Sequence, residues 1–169
     1  MTTVYEGTPS GGDGRYAIVV SRFNQSVTER LLAGAVETLI ARGVHEDNID
    51  VAWVPGAFEI PTVASRLASA GRHAAILCLG AVIRGQTPHD QYINRAVSLA
   101  LAQLGTQYKM PVMFGVLTCE TLDQAIARSG GRVATTGKDD AAAHVGNKGV
   151  DCALAAMEMV DLLGKLPKA

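Results

Sequence analysis

Long apolar runs are missing from this chain of 169 residues. None approaches the ~20 consecutive apolar residues needed to span a bilayer, so no membrane partner is expected. An excess of charge is missing too. Lys plus Arg number 15 and Asp plus Glu 16, a formal net charge of -1. A general nucleic-acid binder would usually be basic, which sets that class aside. Cysteine is scarce: Cys78, Cys119 and Cys152 are odd in number and far apart, with no C-x-x-C. A disulfide framework and a structural zinc site are therefore not expected, and a reducing cytoplasm is. The four histidines (His45, His73, His89, His144) show no metal-ligand spacing. No G-x-G-x-x-G follows the first predicted strand, and there is no G-x-S-x-G elbow. Met1 to Arg15 is polar and Gly-rich, without the basic-then-apolar order of a secretory signal.

What is present is a chain of one-domain length that is 48% hydrophobic and 18% charged, with mean hydropathy +0.18. A small monomer has a large surface to cover with polar groups, and this composition supplies few. Association with further copies is expected to cover the remainder.

Apolar, β-branched runs and helical periods alternate four times. Tyr16–Ser21, Ile49–Val54, Ala74–Ala81 and Val112–Thr118 read as buried strands. Ser26-x-x-Glu29 fits a capping box, and the helix behind it stops at Gly43. Pro61 opens a short helix that ends near Gly71. Further helices are expected over about Gln91–Leu104, Leu122–Arg128 and Asn147–Leu163, with a long loop over 130–146. The pattern predicts an α/β three-layer open sandwich around a four-stranded, mostly parallel sheet. The whole chain, 1–169, reads as one domain with an N-terminal arm over 1–14. Val4-Tyr5-Glu6 is long enough for a short strand, paired at home or on a neighbouring subunit.

In such sheets ligands bind outside the carboxyl ends of the strands. The richest of these ends runs Gly80-Ala81-Val82-Ile83-Arg84-Gly85-Gln86-Thr87-Pro88-His89. It matches both glycines and the Thr of a P-loop but has Gln86 where the Lys must be. Gly85-Gln86-Thr87 before a helix still suits a single phosphate, through free N–H groups and the helix dipole, though an ordinary turn reads the same way. His89 beside it could move a proton near neutral pH, or be a solvated residue of a first helical turn. Phe23, next to Asn24, could stack on a planar heterocycle or pack in the core. Glu59 could accept hydrogen bonds from hydroxyls, or simply favour a helix start. Lys148 at a helix start is disfavoured by the dipole, which suggests an external anion or a neighbouring chain. Arg128 is ambiguous between site and surface. The ends of strands one and three lack the acidic residues that a response-regulator domain needs.

Taken together, IVVSRFN (18–24), PGAFEIP (55–61), LGAVIRGQTPHDQY (79–92), PVMFGVLT (111–118), QAIARSG (124–130) and GNKGVDCALAAMEM (146–159) resemble the 6,7-dimethyl-8-ribityllumazine synthase family along nearly the whole chain. The resemblance implies a flavodoxin-like sheet. It implies condensation of 5-amino-6-(D-ribitylamino)uracil with 3,4-dihydroxy-2-butanone 4-phosphate to the lumazine, phosphate and water, the penultimate step of riboflavin biosynthesis. No cofactor or metal is implied. By the same resemblance Phe23 stacks on the uracil, and Asn24 and Glu59 hold the ribityl chain. The backbone at Ala57, Phe58, Ala81, Val82 and Ile83 binds the ring edge or the chain. Lys148 contacts the pyrimidine, and Gly85, Gln86, Thr87 and Arg128 form the phosphate site. His89 transfers protons, and Phe114 comes from the neighbouring subunit. The implied assembly is a homopentamer with active sites between subunits, and riboflavin synthase is a candidate partner. Some members pack twelve pentamers into an icosahedral shell. The extra residues between Arg128 and Lys148 favour a free pentamer here.

Three other readings compete. They are a catalytically dead flavin- or lumazine-binding or shell protein on this scaffold, a degenerate P-loop domain, and the archaeal-type riboflavin synthase. The set Phe23, Glu59, Thr87, His89 and Arg128 favours the lumazine enzyme over the first. Gln86, and the lack of a strand ending in a metal-binding Asp, count against the second. The I-R-G-x-T-x-H loop counts against the third.

Overall fold

The structure, a computed structural model, describes residues 1–133 and 146–167. Four strands, β1 (Tyr16–Ser21), β2 (Ile49–Val54), β3 (Ala75–Ile83) and β4 (Val112–Cys119), form one sheet in the order β2-β1-β3-β4. Every pairing is parallel. The α/β expectation therefore holds, with the sheet wholly rather than mostly parallel.

Alternation along the strands divides the core in two, because successive side chains point to opposite faces. Tyr16, Ile18 and Val20 of β1 and Ala75, Leu77 and Leu79 of β3 pack with α1 (Gln25–Ala41) and α5 (Lys148–Lys165). Ala17 and Val19, with Ile76 and Cys78, pack with α2 (Ile60–Ser69) and α3 (His89–Tyr108). Both faces of the two central strands are thus buried, which is why their sequences are continuously apolar. Each fully buried Leu or Ile contributes about 1.5–3 kcal/mol. A short α4 (Leu122–Arg128) follows β4. Where β4 meets α5 there is no room for a side chain at Gly115. A Cβ there would lie 2.6 Å from Leu79 Cδ2 and 2.8 Å from Cys152 Sγ.

Several boundaries differ from the sequence reading. The capping box at Ser26 does not form: α1 starts two residues earlier than that cap implies, at Gln25, with Asn24 as its N-cap at φ 61 and no side-chain cap bond. Asn24 Nδ2 instead donates to the Ala81 carbonyl at 2.8 Å, so a contact across the sheet displaces the local motif. At the other end Gly43, at φ +96, closes α1 as expected. Its N–H donates to the Ile40 carbonyl and that of Val44 to the Leu39 carbonyl, the paired bonds of a Schellman cap. Strand β3 runs on to Ile83 because Val82 and Ile83 pair with Thr118 and Cys119. Helix α3 starts at His89 rather than Gln91 and reaches Tyr108, with Lys109 as a left-handed cap at φ 50.

No strand forms at Val4-Tyr5-Glu6 in this chain. The arm lies along helices instead. Thr8 N–H donates to Asp161 Oδ2 at 2.7 Å, Lys165 Nζ to the Glu6 carbonyl at 2.9 Å, and Gly11 N–H to the Arg42 carbonyl at 2.8 Å. At the amino end of the sheet Asp50 accepts a bidentate pair from Arg15, 2.7 Å on each oxygen, and lies 2.8 Å from His73 Nε2. Among the described residues no helix is long and apolar enough to cross a membrane. Most of the predicted 130–146 loop lies outside the described residues.

Candidate active site

Chain direction reverses between β1 and β3: from β1 the connection runs to one side, to β2, and then back across to β3. The two crossovers leave the sheet on opposite faces, and a crevice opens between them at the carboxyl ends. A cavity of about 410 Å³ lies there, lined by Phe23, Gly56, Ala57, Phe58, Glu59, Ala81, Val82, Ile83, Gly85, Thr87, His89, Asp90 and Ile93.

The strand ends aim these residues. Arg22 N–H donates to the Val54 carbonyl and Phe23 N–H to that of Pro55, so β1 and β2 remain in register past their ends. This carries Phe23 out of the core, where it is 71% exposed, and Phe58, which lines the same cavity, is 59% exposed. Solvated aromatic rings on a cavity wall offer flat apolar faces to a flat ligand. Glu59 is fixed by its own turn: Gly56 N–H donates to Oε2 at 2.9 Å. The Ala81 carbonyl already accepts from Asn24. Asn24 therefore does not line the cavity, and its amide braces the wall from behind.

Helix α3 begins at His89 behind Gly85-Gln86-Thr87, and no side chain caps it. Its first N–H groups and dipole suit an anion. Gly85, Thr87 and His89 line the cavity, whereas Gln86 does not. Sequence reasoning overlooked Gly56, Asp90 and Ile93. Ile93 carries a usable signal, since it lies four residues after His89 and so on the same helix face.

Phe114, Arg128 and Lys148 are not part of this cavity. With Gly115 to Thr118 they line a second cleft, of about 260 Å³, beside the edge strand β4. Phe114 is 47% exposed. Arg128 makes one hydrogen bond, 3.2 Å to the Gln124 carbonyl of its own helix, and no carboxylate pairs with it among the described residues. Lys148 Nζ is 2.7 Å from Asp151 Oδ2 in the first turn of α5. That carboxylate raises the Lys148 ammonium above its ordinary value. It also gives the cation at this helix start a partner within the chain, where the sequence suggested an external anion or a neighbouring chain. A groove lined by Arg84, Asp90, Asn94, Thr118 and Glu120, among others, separates the two clefts and shares Asp90 with the first and Thr118 with the second. Within one chain, then, Thr87 and Arg128 do not share a cavity.

Arg128 and Lys148 are brought together across the intervening segment by main chain. Ser129 and Asn147 form an antiparallel bridge, and Gly130 N–H donates to the Gly146 carbonyl at 3.0 Å. The Lys148 position assigned by resemblance is thereby set against Arg128, whatever the length of chain between them. In comparison with known families, the model described as 6,7-dimethyl-8-ribityllumazine synthase matches residues 13–164, nearly the full chain.

Proposed function

Because the chain belongs to the 6,7-dimethyl-8-ribityllumazine synthase family, we propose that it condenses 5-amino-6-(D-ribitylamino)uracil with 3,4-dihydroxy-2-butanone 4-phosphate. The products are 6,7-dimethyl-8-ribityllumazine, phosphate and water, and the step is the penultimate one of riboflavin biosynthesis. Family membership carries lumazine synthesis within riboflavin biosynthesis, a transferase activity. The choice of substrates is what the resemblance implies, and the lining of the two clefts supports it.

One observation carries it. The aromatic and carboxylate wall at Phe23, Phe58 and Glu59 runs directly into an uncapped helix start at Thr87 and His89. A planar ring bearing a polyol and a phosphorylated small molecule can lie end to end there. Phe23 stacks on the pyrimidine, the fixed Glu59 carboxylate accepts from ribityl hydroxyls, and the Gly85–Thr87 loop receives phosphate.

The chemistry asks little of the protein beyond placement. The substrate's 5-amino group attacks the ketone, and one water leaves as the imine forms. Phosphate is eliminated, and the ribitylamino nitrogen closes the second ring with loss of another water. The nucleophiles belong to the substrate, so no lysine or cysteine nucleophile and no cofactor is required. Holding two reactants together is chiefly an orientation effect. His89 transfers the protons of imine formation and elimination, and Arg128 balances the charge of the departing phosphate.

Arg128 and Lys148 stand on a separate cleft at the sheet edge, beside the exposed Phe114. In this reading that cleft closes the first cavity of a neighbouring copy, in a homopentamer with a site at each junction. The test is a mixing assay free of cofactor and metal. Purified protein receives the two substrates, and lumazine absorbance and fluorescence are followed against a no-protein control. Protein-dependent formation is expected. A rate equal to the control, from folded protein, overturns the reading in favour of a binding or shell protein.

A further inference from the structure

Asn147 lines neither cleft, yet its side chain is the most fully engaged amide near the two cations. Nδ2 donates to the Arg30 carbonyl of α1 at 2.9 Å and to the Ser129 carbonyl at the end of α4 at 3.0 Å. Oδ1 accepts from Gly149 N–H at 2.8 Å. Both amide hydrogens and an oxygen lone pair are used, and each bond goes to a different helix or helix end. Capping α5 needs only the bond to Gly149, which Ser, Thr or Asp could also make. The two bonds to α1 and α4 are not explained by capping.

The space around the amide is equally particular. A Cβ on Gly34 would lie 2.6 Å from Nδ2, one on Gly130 3.2 Å from it, and one on Gly149 3.0 Å from Oδ1. Glycines from α1 and the α4 exit thus leave room for the amide, while a Cβ on Gly149 would meet the Leu31 carbonyl of α1 first. The residue before Ser129 is Arg128, and the residue after Asn147 is Lys148. The two cations oppose each other's charge, and among the described residues the Ser129–Asn147 bridge is what joins the two stretches of chain that carry them.

We propose that Asn147 is a positioning residue whose amide, by joining α1, the end of α4 and the start of α5, holds Arg128 in register with Lys148 so that Arg128 can receive the phosphorylated substrate. The proposal rests on the reading of Arg128 as a phosphate ligand. Asn147→Ser retains an oxygen for the α5 cap but cannot reach Arg30 and Ser129. The phosphate ligand is then displaced rather than removed.

The experiment is a double-variant cycle of Asn147→Ser with Arg128→Ala, read in two ways. In turnover, Asn147→Ser raises KM for the butanone phosphate roughly tenfold in the wild-type background and less than about twofold in the Arg128→Ala background, because residues acting through one another are not additive. By calorimetry, the Kd of inorganic phosphate for the folded protein follows the same pattern, independently of turnover. A tenfold effect in both backgrounds, or none in the first, overturns the positioning role. Absence of lumazine formation with the phosphate pattern intact sinks the substrate reading alone. Gly34→Ala is a second probe that leaves Asn147 in place and presses its amide from the far side. It is expected to raise the same KM and Kd, and a folded Gly34→Ala protein with both unchanged also overturns the proposal.

Discussion

Ser129 and Asn147 pair across the chain in an isolated antiparallel bridge, and their outer neighbours Arg128 and Lys148 line one cleft. The bridge closes the intervening segment at its base. The spacing of the two cations is therefore a property of the α4 exit and the α5 start.

If each cavity is completed by a second copy, two impaired variants should repair each other when assayed at butanone phosphate well below the raised KM of Arg128→Ala. His89→Ala removes the proton-transfer group from the first cleft, and turnover is expected to fall about 10²–10⁴-fold with little change in KM. Arg128→Ala disables the second cleft. Unfolding and refolding the two together at equal amounts should restore about a quarter of the sites, since half of all copies bring each intact cleft to a junction. The rate of lumazine formation in the mixture checks this. A mixture no faster than its parents would place both residues in sites formed within one chain.

Arg128→Ala alone should act on one substrate. Loss of a hydrogen-bonded charge on phosphate costs about 1.5–3 kcal/mol, roughly a 10- to 150-fold rise in KM for the butanone phosphate. The KM for the ribitylaminouracil should change little. Equal losses on both substrates would remove Arg128 from the phosphate site.

Phe23→Ala separates ligand stacking from core packing. The ring is 71% exposed, so its removal should change stability by no more than about 0.5 kcal/mol. Stacking on a base is worth about 1–3 kcal/mol, so KM for the pyrimidine should rise roughly 5- to 150-fold. Thermal melts and steady-state kinetics on the same sample read both. An unchanged KM with a lowered Tm would make Phe23 a packing residue.

Asp50 links folding to acid. Hydrogen bonds from Arg15 and His73 hold its carboxyl well below the ordinary carboxylate range. A depressed value means that the folded state favours the ionised form. The stabilisation is complete above the unfolded value near pH 4 and is lost as the pH falls toward the folded one. The Asp50 side chain is 42% exposed, so solvent screening limits the effect. Asp50→Asn should cost about 1 kcal/mol, roughly 2–4 °C in Tm, at pH 7. Melting curves of the two proteins should converge between pH 4 and pH 2. A constant offset would mean that the carboxylate charge is not what Arg15 and His73 recognise.

The four strands were legible because burial on both sheet faces leaves continuous apolar runs such as Tyr16–Ser21 and Ala75–Leu79. The helix ends were legible where the cause is local, as at Gly43. They were misread where it is remote: Asn24 begins α1 in a left-handed conformation while its side chain reaches the Ala81 carbonyl, 57 positions away. Strand β3 outran its expected end because Val82 and Ile83 have partners on β4. The first cleft was largely visible, since its residues cluster at three strand ends that topology must gather. The division of Thr87 from Arg128 was not visible. It depends on β4 lying at the sheet edge, and no spacing in the chain reports that.

All three cysteines are free and buried. Burial raises the Cys152 thiol to about 11 and pushes those of Cys78 and Cys119 upward as well. Alkylating reagents attack the thiolate, so the native sulfurs are poor targets at neutral pH. The unaltered chain is thus a quiet background for maleimide chemistry. A dye attached through one engineered cysteine at an exposed position, such as Leu122, would report the approach of a second copy by energy transfer, with none of the native thiols replaced.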